Sequence, residues 1–71
     1  MAQQEHATPT IIRRKVVEAR TGLSRSTIYQ RVSDGTFPAP VNLGARAVGW
    51  VEAEVAAWLA GRIEASRRAT A

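Results

Sequence analysis

The chain has no cysteine. Disulfides and thiolate–metal staples are therefore excluded, and nothing points to an oxidising compartment. There is one histidine, His6, in a polar N-terminal stretch, so a protein-held metal is not expected either. Apolar runs are short and broken by charge. That excludes a membrane-spanning helix, and no signal-peptide pattern is visible. Catalytic constellations are missing as well: no Ser-His-Asp set, no cysteine nucleophile, no phosphate-cradling glycine loop and no spaced carboxylate pair. Seventy-one residues form one small domain with little volume in which to enclose a substrate. No enzyme activity, catalytic residue or cofactor is expected, and the chain should work by binding.

Positive charge is plentiful. The formal net charge is +4, the sequence pI is about 11.2, and nine of the ten cations are arginine, with Lys15 the exception. Arginine's planar fork suits phosphate and guanine edges. In a domain this small, that excess favours a nucleic-acid partner over a surface that serves only solubility.

The chain is organised around Thr21-Gly22-Leu23-Ser24-Arg25-Ser26-Thr27-Ile28-Tyr29-Gln30-Arg31. Gly22 can take the positive φ that closes one helix. Leu23 is an apolar plug, and Ser24 is a favoured N-cap for the next helix. That helix, Arg25 to Ser33, turns Ile28 and Val32 inward at i, i+4. Ser26, Thr27, Gln30 and Ser33 then cover the opposite face, with Arg25, Tyr29 and Arg31 on the flanks. A helix that opens with basic and hydroxylated residues, held to a preceding helix by a glycine turn, is a helix-turn-helix signal. Its outward face suits base edges and its flanks suit the two phosphate walls of a major groove; Gln30 can pair bidentately with adenine. The bland alternative is an amphipathic helix with a wet polar face.

Around this centre the remaining elements fall in order. Residues 1–10 are polar, carry Pro9 and lack apolar periodicity, as a disordered arm would. Ile11-Ile12 is a short β-prone lead-in. Arg13 and Arg14 follow, either reaching phosphates or simply solvated. Lys15 to Arg20 reads as a first helix with Val16, Val17 and Ala19 in apolar contact, too short to persist without packing. Asp34-Gly35 ends the second helix, and Phe37-Pro38-Ala39-Pro40 forces an extended link anchored by Phe37. Val41-Asn42-Leu43 and Val48-Gly49-Trp50 alternate like two strands of a hairpin tipped by Gly44 and Arg46. Such a hairpin looks like a wing, with Arg46 on phosphate or in the minor groove unless it is only a solvated turn residue. Val51 to about Ile63 is a third helix with Val51, Val55, Trp58, Leu59 and Ile63 on one stripe, Trp58 and Trp50 both core residues, and Glu52 and Glu54 at the favourable end of its dipole. Residues 64–71, with Arg67 and Arg68, are expected to fray. The fold class is mainly α with a small β-hairpin: a three-helix winged helix-turn-helix over residues 11–63.

This order of motifs resembles the AlpA family of prophage regulators, within the wider excisionase-like and MerR-like winged helix-turn-helix group. The matching residues are Thr21 to Tyr29, Gly35-Thr36-Phe37-Pro38-Ala39-Pro40-Val41, Leu43-Gly44, Arg46-Ala47-Val48-Gly49-Trp50, Glu54-Val55 and Trp58-Leu59. The resemblance implies a small DNA-binding protein of phages or integrated elements, acting in transcription or as an excision factor that shapes DNA for an integrase. It implies that Ser24, Arg25, Ser26, Thr27, Tyr29, Gln30 and Arg31 carry major-groove binding and that Arg46 makes the wing contact. Gln30 departs from the common pattern, where a basic residue is frequent, which leaves base reading open there. No effector domain of the MerR kind is present, so ligand sensing is not implied.

The expected function is therefore sequence-specific binding of double-stranded DNA, as a prophage-type transcriptional regulator or excision factor in the bacterial cytoplasm, at the nucleoid. The expected partners are duplex DNA, further copies of the chain on adjacent sites, and an integrase, with no membrane. The alternative is an adaptor that docks on an integrase or the transcription machinery, with DNA contact secondary; an exposed apolar patch on the third helix would favour it. Single-strand binding wants exposed aromatic platforms, for which Tyr29 alone is a fair candidate.

Overall fold

A computed structural model describes residues 9–70. Of the polar arm expected over residues 1–10, residues 1–8 lie outside the described residues. The chain then runs β1 (Ile11–Ile12), α1 (Arg14–Thr21), α2 (Arg25–Asp34), β2 (Val41–Gly44), β3 (Ala47–Val51) and α3 (Glu52–Thr70). Three helices and a small antiparallel sheet make the winged helix-turn-helix that the sequence suggested. Among the described residues no helix is long and apolar enough to cross a membrane.

The sheet has the order β1-β3-β2 and both pairings are antiparallel. Ile12 lies opposite Trp50 and Ile11 opposite Val51, so a two-residue strand is stitched to one forty residues later in the chain. The Thr10 carbonyl also accepts the Glu52 N–H at 2.8 Å, joining β1 to the start of α3. Strand alternation sends Ile12 and Trp50 to the inner face and Ile11, Gly49 and Val51 to the outer one. A Cβ at Gly49 would collide with the Ile11 side chain and stand 3.2 Å from the Ile12 carbonyl oxygen. Glycine is therefore what lets the side chains of β1 and β2 close over β3.

Ile12, Val17, Ile28, Phe37, Trp50 and Val55 form the core, with Leu23, Val32, Val48, Trp58 and Leu59 packed around it. Each of the three helices, β1 and the central strand β3 contribute to this cluster or its rim, as a chain of this size requires, while β2 is exposed throughout. The proline link is held between two indoles. Trp50 donates its ring N–H to the Pro38 carbonyl at 2.9 Å, and Trp58 donates to the Thr36 carbonyl at 2.7 Å. Phe37, between those carbonyls, meets the Trp58 ring edge-on at 4.8 Å between centroids.

Several local expectations change. On α1 only Val17 is buried, while Val16 and Ala19 face solvent. The inward stripe of this short helix is Arg14, Val17, Glu18 and Thr21, spaced i, i+3, i+4, i+7, and Arg14 pairs with Glu18 along its edge. Val51 ends β3 rather than opening α3, because it is paired with Ile11. Trp58 is half-buried rather than enclosed, since its N–H must reach the link carbonyl. The largest difference is at the C-terminus. The segment expected to fray after Ile63 is helical through Thr70. Residues 60–69 are all exposed, and Ile63 itself is 50% exposed, so tertiary packing does not hold this extension. Alanine, arginine and glutamate are strong helix formers, and Arg68 bonds Glu64 one turn earlier at 2.6 Å.

Candidate nucleic-acid interface

The helix-turn-helix corner is built by backbone chemistry. Gly22 takes φ 75° and its N–H bonds the Glu18 carbonyl at 2.8 Å, closing α1. The Thr21 hydroxyl donates to the Val17 carbonyl at 2.8 Å and accepts the Leu23 N–H at 3.2 Å, so the chain cannot continue helically. Ser24 is extended, at φ −77° and ψ 165°, and its hydroxyl oxygen accepts the Thr27 N–H at 3.2 Å. The same hydroxyl donates to the Thr27 Oγ1 at 3.0 Å, and the Ser26 hydroxyl lies 3.4 Å away. The first turn of α2 thus presents three linked hydroxyls beside exposed Arg25.

Ile28 is fully buried beneath α2, and Val32 is half-buried. The exposed stripe opposite is Ser26, Tyr29, Gln30 and Ser33. Sequence periodicity put Thr27 on that face and Tyr29 on a flank; in the fold Thr27 turns partly inward and Tyr29 outward. The Tyr29 ring is steadied from both sides. Its edge-to-face partner is Trp50, 6.0 Å away, and the Arg25 guanidinium carbon stands 5.9 Å from its centroid.

The sequence-predicted site residues divide into three neighbouring groups. Ser24, Arg25 and Ser26 stand at the N-terminus of α2. Thr27, Gln30 and Arg31 line a shallow hollow of about 220 Å³ shared with Asp34 and Thr36. Tyr29 and Arg46 line a second cleft of about 410 Å³, so the outward face of α2 and the wing tip adjoin. Three further residues, Arg13, Arg14 and Lys15, line that cleft. The sequence left the first two undecided and placed Lys15 only in a helix. The legible signal was three successive cations at a helix start with no acid in the first turn.

Charge is sorted over the surface. Arg14, Arg20 and Arg68 are paired with Glu18, Glu52 and Glu64. Among the described residues, Arg13, Lys15, Arg25, Arg31, Arg46 and Arg62 make no salt bridge. All of these but Arg62, which is on α3, lie around α2, the start of α1 and the wing tip, where an external polyanion is the available counter-charge.

Residues 10–63 match the model of the family described as the prophage CP4-57 regulatory protein, AlpA. The chain belongs to the AlpA family. An uncharacterized protein of Enterobacteria phage P4, ORF88, is 53% identical over 47 residues, covering 66% of this chain. The match spans about half of that phage protein, 53% of its length. The DNA-binding transcriptional activator AlpA of Escherichia coli K12 is 41% identical over 58 residues, covering 73% of this chain and 83% of the relative. The AlpA-family match takes in the helix-turn-helix corner, the proline link, the wing and the first part of α3; the exposed helical extension beyond Ile63 lies outside it.

Proposed function

We propose that this AlpA-family chain is a double-stranded DNA-binding transcriptional regulator of the prophage type. It docks α2 in the major groove and lays the wing on the adjoining backbone. The observation that carries this reading is the cleft shared by Tyr29 of α2 and Arg46 of the wing, lined by four cations of which only Arg14 has an acid partner. The E. coli relative, named as a DNA-binding transcriptional activator, supports it. Arg25, Ser26, Tyr29 and Gln30 face the bases, Thr27 and Arg31 the groove wall, and Ser24 sets the geometry of the turn while staying within reach of a phosphate. Whether the output is transcription or excision turns on what stands beside the bound site, because both would use the same surface.

Selection of bound duplexes from a random library, at two salt concentrations, tests the proposal. An enriched short motif whose binding survives moderate salt is the expected result. A steep loss with salt and no motif would leave only nonspecific phosphate attraction.

A second reading, docking on an integrase or on the transcription machinery, has one observation in its favour. Ile63 on α3 is half exposed, beyond the part of the helix committed to the core. Ile63→Lys leaves DNA affinity unchanged on the first reading. If that variant bound the selected duplex normally yet lost regulation in cells, the adaptor reading would take precedence.

A further inference from the structure

The cleft between α1 and the wing brings together cations from two separate places in the chain. Arg13 precedes α1, Arg14 and Lys15 open it, and Arg46 comes from the β2–β3 turn; Tyr29 of α2 and Val48 complete the lining. No carboxylate lines it, and of the four cations only Arg14 has an acid partner. Two features make this arrangement costly to an isolated chain. Cations at a helix N-terminus stand at the positive end of the dipole, whereas α3 carries Glu52 and Glu54 in that position. Arg46 is the one described non-glycine residue at positive φ, 60°, a conformation better suited to glycine. A bound anion relieves the repulsion.

We infer that this cleft seats a single phosphodiester of the bound duplex, which makes Arg13 and Lys15 DNA-anchoring residues alongside Arg46. The inference rests on the docking proposed above and adds a second point of attachment behind the recognition helix. The phosphate belongs to the duplex and not to free solution, because Tyr29, on the exposed face of α2, forms one wall of the cleft. Among the described residues its hydroxyl bonds no other protein group, which leaves it able to donate to a phosphate oxygen. Arg13 and Lys15 carry no sequence information; they set register and orientation.

The test uses the full chain and a selected duplex, with Arg13→Ser, Lys15→Gln and the double variant. Arg13 already has N-cap geometry, φ −88° and ψ 169°, without a side-chain cap bond. Serine there supplies one, so the melting temperature should hold or rise while binding falls. Each single variant should weaken binding roughly fivefold to tenfold, equally on matched and scrambled sites. The double variant should lower the slope of log affinity against log salt by about one unit, because one phosphate is involved. In the wild type, a neutral methylphosphonate at one backbone position should reproduce this loss, and the double variant should be indifferent to that substitution.

Unchanged affinity and slope in the double variant would overturn the clamp while leaving DNA binding intact. A binding loss accompanied by a lower melting temperature would assign both residues to the fold and overturn it as well. Stabilisation of the wild type by inorganic phosphate over chloride at matched ionic strength, lost in the double variant, would instead mark a free-anion site. Failure of the wild type to bind any duplex would remove the docking itself.

Discussion

Replacing Arg46 with glycine should make the protein more stable and a poorer DNA binder. Arg46 holds φ 60° at the wing tip, between Gly44 and Ala47, the residues that close the hairpin. An L side chain in the left-handed region costs about 1–2 kcal/mol. Glycine removes that strain but frees the unfolded chain, returning about 0.5–1 kcal/mol. A net gain of up to about 1.5 kcal/mol remains, which in a domain this small raises the melting temperature by up to roughly 12 °C. Arg46 is exposed and makes no salt bridge with the described residues, so little packing or pairing offsets the gain. On the duplex the variant loses one cation, and the slope of log affinity against log salt should fall by about one unit. Thermal melting by circular dichroism and fluorescence anisotropy over a salt series measure the two effects. Arg46→Asn separates backbone from charge, since asparagine tolerates positive φ and is neutral; it should bind as weakly as the glycine variant. A lower melting temperature for Arg46→Gly, or an unaltered salt slope, would refute the reasoning.

Arg25→Ala should cut binding to the matched site by about 1–3 kcal/mol more than binding to a scrambled one, in contrast to the uniform loss at Arg46; competition with both duplexes checks it. Ser24→Ala should cost about 1 kcal/mol of stability, because the Thr27 N–H loses its cap, and denaturant melts would show the midpoint move without a change in slope. A single module of this size buries a modest interface, so two adjacent sites should fill more tightly per site than one. Equal affinity per site in a titration would count against self-association on DNA.

The helix-turn-helix corner was legible because local chemistry makes it. Gly22, Ser24 and Gly35 act within one turn of their own positions, and each takes the backbone geometry its residue type favours. The wing was legible for a similar reason, from alternation around a turn. The cleft was not, because it depends on Ile12 pairing with Trp50 across the chain, and no local pattern announces that register. That pairing carries Arg13 and Lys15 to the wing. Tyr29 and Thr27 exchanged exposure because periodicity from Ile28 and Val32 gives the direction of burial only coarsely, and the Trp50 ring offers Tyr29 an edge to lean on. The reach of α3 was missed because sequence periodicity locates buried faces, and residues 60–69 bury none.

The two indole bonds on either side of Phe37 bear on what kind of DNA this fold could accept. A proline-containing connector without regular structure would ordinarily let the recognition helix and the wing swing independently. Here both flanking carbonyls are tied to the body of the domain, so the distance between the two elements is set before any duplex arrives. On the docking proposed above, the protein behaves as a stiff gauge. The work of fitting falls on the DNA, and sequences whose groove already matches the gauge, or deforms cheaply to match it, are preferred even at base pairs that no side chain touches.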